Sequence, residues 1–228
     1  MLEYRIQNPS SSDMDATPAI ILIHGYGSHA GDLFSFAPNL PKNHAIIALQ
    51  APINLGSSSY AWYPLQMDSS GVVTSKLNDF WGAVKLIIDT IDELVKIHKL
   101  DSEDLSLLGF SQGAILSWAI AYQNYNLIRR IVALSGMIHE SINTSQAPKF
   151  VVYASHGIND QVIPISQPRD TIVPLSEKYD EISYHEFNDE HNISVENFNQ
   201  LISWLEKTNL NELITDFKAL NSNPLVVF

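Results

Sequence analysis

Asp104-Leu-Ser-Leu-Leu-Gly-Phe-Ser-Gln-Gly-Ala-Ile-Leu-Ser-Trp118 opens as a short apolar run, passes through two glycines that bracket a serine, and continues with helix-like spacing. The run from Leu105 to Phe110 predicts a strand. Gly109-Phe110-Ser111-Gln112-Gly113 predicts a tight turn that throws the Ser111 hydroxyl clear of the backbone. Such a turn is crowded. A side chain at Gly109 or Gly113 is expected to collide with neighbouring strand or helix backbone. The pentapeptide alone also arises by chance, but the strand before it and the helix after it are the context a nucleophilic serine requires.

Working outward, Ala19 to Ile23 is a β-branched run suited to a strand buried on both faces, and it ends in His24-Gly25-Tyr26-Gly27. His44 to Leu49, Arg130 to Leu134 and Phe150 to Ala154 read the same way. Leu2 to Gln7 and Glu181 to Phe187 alternate, as part-exposed strands do. Between Lys76 and Leu100, residues Leu77, Phe80, Trp81, Val84, Ile87, Ile88, Ile91, Leu94 and Val95 follow the spacing of one helix face. Helices are also expected over Asp32 to Leu40, over Asp170 to Tyr179 with Pro174 near its first turn or kinking it, and over Ser194 to Lys207 with Ser194 as N-cap. Asn209 is placed to cap a last helix through Leu220. Asn8 to Pro18 and the aromatic-bearing Ala51 to Gly71 are expected as loops. Strands alternating with helices imply an α/β protein with a mostly parallel sheet of about seven strands and helices on both faces. Ligands in such sheets sit at the carboxyl ends of strands, where all these glycine-marked turns fall.

The 228 residues fit a single domain over 1–228. With 45% hydrophobic and 17% charged residues, the composition is that of a globular chain. Thirteen basic against 25 acidic side chains give a net charge of −12, which argues against nucleic acid as a partner and against anionic membranes. No cysteine is present, so disulfides, thiolate metal sites and a cysteine nucleophile are excluded together. No apolar stretch is long enough to insert stably in a bilayer, and Met1 to Pro9 does not read as a signal peptide, so a cytoplasmic location is expected. A homodimer is left open.

A serine hydroxyl needs a base, usually a histidine oriented by a carboxylate, and on this architecture the chain order is serine, acid, histidine. His24, His29, His44 and His98 precede Ser111, while His139 and His156 precede the preferred acid. His185 lies inside a strand. His191, on the loop after the last strand, is therefore the expected base. Asp160 follows the strand ending at Ala154 and is preferred as the acid over Asp170, which starts a helix, and Asp189, too close to His191. Backbone N–H groups of Gln112 and Tyr26 are the expected oxyanion donors. The ring of His24 is expected to brace its turn. Tyr60, Trp62, Tyr63, Met137 and Ile138 either line a substrate pocket or simply pack. No metal or cofactor is implied: no His-x-x-x-His or cysteine set occurs.

These residues together resemble the phospholipase/carboxylesterase family of α/β-hydrolases, which contains small carboxylesterases and acyl-protein thioesterases. The matching pieces are Leu22-Ile-His-Gly-Tyr-Gly27, Ala51-Pro52 with Trp62-Tyr63, Gly109-Phe-Ser-Gln-Gly113, Ala133-Leu-Ser-Gly136, His156-Gly157 through Asp160 to Ile163-Pro164, and His191-Asn-Ile-Ser194. They run in order from Ala19 to Glu206. The resemblance implies an α/β-hydrolase fold, Ser111, Asp160 and His191 as triad, and a small-molecule ester as substrate. It further implies a carboxylesterase for short to medium acyl groups, with acyl-protein thioesterase or lysophospholipase as alternatives. A non-catalytic binding module on the same fold is the alternative from another class. One departure is Glu190, an extra negative charge where the family usually has glycine before the histidine. The segment from Asn209 onward lies outside the resemblance.

Overall fold

A computed structural model describes residues 1–10, 16–67, 73–123 and 127–208. In chain order the elements are β1 (Tyr4–Gln7), β2 (Thr17–Ile23), α1 (Ala30–Phe34), β3 (Ala45–Leu49), β4 (Ile53–Gly56), β5 (Ser59–Ala61), β6 (Gln66–Met67) and β7 (Val73–Thr74). There follow α2 (Leu77–His98), β8 (Leu100–Phe110), α3 (Gln112–Gln123), β9 (Ile128–Leu134), β10 (Val151–Gly157), α4 (Ser166–Thr171), α5 (Val173–Ser176), β11 (Ile182–Phe187) and α6 (Val195–Lys207). Seven strands form the main sheet in the order β1-β3-β2-β8-β9-β10-β11. β1 joins antiparallel at the edge, and the other pairings are parallel. This is an α/β-hydrolase fold.

The period of two along β2 sorts its side chains into two cores. Ala19, Ile21 and Ile23 face one layer, while Ile20 and Leu22 face the other. The larger core takes Phe80, Val84, Ile87, Ile91 and Leu94 from α2 and Leu116, Trp118 and Ile120 from α3. The smaller takes Ala30 and Leu33 from α1 and Leu201 and Leu205 from α6. Helix α3 is buried on every side from Gln112 to Tyr122, sandwiched between the sheet and α2, so it carries no polar face. Ser194 caps α6 as expected, accepting a hydrogen bond from the N–H of Asn197.

Several boundaries differ from the sequence reading. Ala51 to Gly71 is not loop throughout: β4 and β5 form a hairpin whose tip turns through left-handed backbone at Gly56, Ser57 and Ser58. The expected helix over Asp32 to Leu40 ends at Phe34 and gives way to a 3-10 turn at Ala37–Asn39. The one expected over Asp170 to Tyr179 is split into α4 and α5, with Pro174 in the first turn of α5, where its missing N–H costs nothing. Strand β2 begins at Thr17, and its register against β8 slips across Pro18, which has no N–H to donate. Strand β8 extends back to Leu100. The expected helix from Asn209 to Leu220 lies outside the described residues.

One buried polar cluster ties β8, β9 and β3 together. The guanidinium of Arg130 pairs with the Asp104 carboxylate and donates from Nε to Ser106 Oγ at 2.8 Å, from Nη2 to His44 Nε2 at 3.1 Å, and from Nη1 to the carbonyl of Thr208 at 2.8 Å. Burial pushes the Asp104 carboxyl up and the Arg130 guanidinium down, and each charge offsets part of the other's shift.

Candidate active site

Strand β8 ends at Phe110 and α3 begins at Gln112, so Ser111 must reverse the chain in one residue. It does so at φ 54°, in left-handed backbone that a serine adopts only when its surroundings enforce it. The Ser111 N–H donates to Leu134 O at 2.9 Å, and its carbonyl accepts from Ala114 and Ile115 in the first turn of α3. A Cβ on Gly113 would overlap the carbonyl of Ile23, and one on Gly109 would overlap the carbonyl of Gly113. The collisions expected at both glycines are thus present, and the amino end of α3 rests directly on the carboxyl end of β2.

Ser111 Oγ lies 3.0 Å from His191 Nε2, and His191 Nδ1 lies 2.6 Å from Asp160 Oδ2. With the carboxylate ionised, Nδ1 carries the proton and Nε2 accepts from the serine hydroxyl. The three side chains come from three strand exits: β8, β10 and β11. Two neighbouring loops meet because their backbones are zipped together. Ile158 N donates to Phe187 O, and Asn159 N to Asp189 O at 2.9 Å. Gly157 packs so closely under the carbonyl of Glu190 that a Cβ there has no room. Glu190 itself is exposed.

Asp160 is buried at 3% exposure, so its charge depends on protein donors. Its Oδ1 accepts from the N–H groups of Val162 and Ile163 at 2.8 and 2.9 Å. Its Oδ2 is also 3.2 Å from Nε2 of His156, whose closer partner is the carbonyl of Ile163 at 2.8 Å. Burial lowers the His156 pKa, which keeps that ring a neutral donor. Chain order set His156 aside as a base, and the structure gives it a place beside Asp160 instead. The i,i+4 spacing to Asp160 was the available signal.

The turn after β2 approaches Ser111 at Gly25, where a Cβ would stand 3.2 Å from that of Ser111. Gln112, as the first helical residue, has an N–H with no partner inside α3. Among the described residues neither this N–H nor that of Tyr26 donates to protein. His24 braces the turn: its Nδ1 bonds the carbonyl of Gly25 at 2.8 Å, and its Nε2 accepts from Ala51 N–H at 3.2 Å.

The five tentative pocket residues separate. Trp62 and Tyr63 are 2% and 3% exposed and belong to the core. Ile138 is also buried, whereas Tyr60 and Met137 are half-buried. Gly136, just before Met137, abuts Ala114 and the carbonyl of Ser111, which keeps this segment on the serine's rim. His185, the rival base, stacks on Tyr153 with centroids 4.9 Å apart. Among the described residues no group of three or more His, Asp or Glu side chains is arranged to hold a metal ion, and no helix is long and apolar enough to cross a membrane.

The sequence profile of the phospholipase/carboxylesterase family matches residues 5–209. The chain belongs to this family. Membership places it among esterase-type hydrolases. It is 25% identical to acyl-protein thioesterase 1 of Kluyveromyces lactis, across 87% of this chain and 95% of that one. An uncharacterised hydrolase of Mycosarcoma maydis is 30% identical across 65% of this chain, a match that spans only 60% of that protein's length. The crystal structure of the Bacillus cereus carboxylesterase superposes with a TM-score of 0.77 at 17% identity, covering 91% of this chain and 94% of that one, a likeness of fold.

Proposed function

We propose that the protein is a cofactor-independent serine carboxylesterase that cleaves small esters of short to medium acyl groups through an acyl-enzyme. Ser111 Oγ attacks the acyl carbon while His191 Nε2 takes its proton, and Asp160 stabilises the resulting imidazolium. The N–H groups of Tyr26 and Gln112 receive the oxyanion. Collapse of the tetrahedral intermediate expels the alcohol, which leaves with the proton from His191. Water then repeats the sequence on the acyl-enzyme and regenerates Ser111.

The observation that carries this reading is the unbroken chain from Ser111 Oγ through His191 to Asp160 at 3.0 and 2.6 Å. Trp62 and Tyr63 pack into the core, so the half-buried Tyr60 and Met137 are the pocket residues that we assign to the acyl site. A cytoplasmic setting is part of this proposal, and the cysteine-free sequence is compatible with it. Thioester cleavage is the second reading, favoured by the Kluyveromyces lactis relative.

The test is a panel of esters and thioesters of graded acyl length on wild type and Ser111→Ala, with a fluorophosphonate probe of the serine. Turnover and labelling that both vanish in Ser111→Ala support the mechanism. A mutant that turns over like wild type sinks it, and a folded wild type without labelling or turnover points to a binding module.

A further inference from the structure

We infer that the side chains of Gln112 and Trp62 are positioning residues that fix the distance between the two oxyanion donors; this rests on the serine-hydrolase reading above. The donors come from separate elements. Tyr26 sits on the turn after β2, and Gln112 opens α3 after β8. The β2–β8 ladder registers the two strands only as far as the pair Ile23 and Gly109. Beyond that point the sheet no longer sets the separation of the two backbones.

Close packing at Gly25 and Gly113 brings the two backbones together, and the flank of β5 ties them by hydrogen bonds. At one end it grips the turn: Gly27 N donates to Tyr60 O at 2.8 Å, Tyr60 N to Ser28 O at 2.9 Å, and Ser59 Oγ to Gly27 O at 2.9 Å. The indole N–H of Trp62 then donates to the carbonyl of His24 at 2.8 Å, with the two rings 5.2 Å apart. At the other end the Gln112 amide clasps the same flank in two directions. Its Oε1 accepts from Trp62 N at 2.9 Å and its Nε2 donates to Tyr63 O at 3.0 Å. A continuous path of hydrogen bonds thus runs from the residue bearing one donor to the turn bearing the other.

The chemistry of the path requires an amide at position 112. Gln112, Trp62 and Tyr63 are all at least nine-tenths buried, so each polar atom needs a protein partner. A hydrocarbon of equal length fills the same space but leaves the Trp62 N–H and the Tyr63 carbonyl unpaired. The turn then loses its hydrogen-bonded tie to α3 and is held there by the packing at Gly25 and Gly113 alone. Oxyanion stabilisation depends on donors fixed where charge develops, so losing this tie weakens transition-state binding more than substrate binding.

The test compares wild type with Gln112→Met, which keeps length and loses the clasp, and with Trp62→Phe, which keeps an aromatic ring and loses its N–H. Steady-state kinetics on a nitrophenyl ester are set beside inhibition by a trifluoromethyl ketone, whose hemiketal places an oxyanion between the donors. Each variant is expected to lose about tenfold to a hundredfold in kcat, the scale of a misplacement near 1 Å. KM should stay within about twofold and ketone affinity should fall by the same factor as kcat, since both report transition-state-like binding. Wild-type kcat and ketone affinity in the variants, or a rise in KM alone, overturn the inference. If Gln112→Met does not fold, Trp62→Phe decides it alone. Fluorophosphonate labelling separates the two levels: a labelled, active wild type with unaffected variants refutes only the brace, whereas an unlabelled, inactive wild type refutes the serine-hydrolase reading and the brace with it.

Discussion

The carboxylate of Asp160 meets Nδ1 of His191 at 2.6 Å across two loops that share backbone hydrogen bonds at Ile158 and Asn159. The other Asp160 oxygen is committed to the N–H groups of Val162 and Ile163, so the group cannot rotate without breaking its own turn. Asp160→Asn keeps an oxygen for those two donors but presents an amide N–H to His191. The imidazole must then hold its proton on Nε2, the wrong nitrogen for accepting one from Ser111. The expected outcome is a fall in kcat of roughly 10³ to 10⁴ with the fold retained. Ester kinetics beside a thermal melt check it, and a kcat within tenfold of wild type argues against the assigned roles.

The packing of α3 onto β2 gives a prediction about folding rather than chemistry. In Gly113→Ala the new methyl meets the carbonyl of Ile23, a backbone atom that cannot swing aside. Helix α3 has to move away from the sheet that it caps. A loss of about 3 kcal/mol or more is expected, at or beyond the upper end of ordinary overpacking. Urea denaturation measures it. Stability near that of wild type would mean that the elbow is looser than the geometry implies.

Much of this arrangement was legible before any coordinates. The continuous run of β2 and the apolar stripe of α2 carry strong signals, and both elements form where read, β2 starting two residues earlier at Thr17. The meeting of Ser111, Asp160 and His191 followed from strand exits and chain order, because parallel strands deliver their carboxyl ends to one rim. The β4–β5 hairpin did not show itself. Its turn uses Ser57 and Ser58 at positive φ, where Asn-Gly would have been the recognisable sign, and its second strand is held by Ser28 and Gly27 from far upstream. The clasp of Gln112 was hidden for a related reason. Sequence spacing marks its backbone as the residue after the nucleophile, but which partners its amide finds is decided by the hairpin.

Removing Arg130 tests the buried cluster beneath the sheet. Arg130→Met leaves the Asp104 carboxylate, 3% exposed, without its ion-pair partner and with Arg129 as the remaining positive charge acting on it, and it also strips a donor from His44. Breaking a buried ion pair by removing one partner costs about 3–5 kcal/mol, and the Arg129 charge places this case toward the lower end. The double change Arg130→Met with Asp104→Leu removes both charges and is expected to recover much of that loss. Chemical denaturation of the two variants distinguishes a charge effect from a packing effect: equal losses in both would assign the defect to shape.

His44 makes stability depend on pH in a direction that the cluster fixes. Burial, with a smaller contribution from the Arg130 charge, pushes its pKa down to about 3. The folded protein therefore keeps this ring neutral, its Nε2 accepting from Arg130, while the unfolded chain protonates it below about 6.5. The unfolded state binds the extra proton, so the contribution is complete above pH 6.5 and is lost progressively as pH falls toward 3. Between pH 6.5, where the unfolded ring is already half protonated, and pH 4.5 this amounts to about 2 kcal/mol. Burial lowers His24 and His156 as well, which steepens the same limb. His44→Gln offers Arg130 an amide oxygen without a titrating ring. Unfolding free energies from urea denaturation between pH 7 and 4.5 should fall less in this variant, by about 2–3 kcal/mol, because the carboxylates common to both proteins cancel in the comparison. Parallel curves for variant and wild type would mean that His44 is protonated within the fold, and that Arg130 tolerates a second positive charge at 3.1 Å.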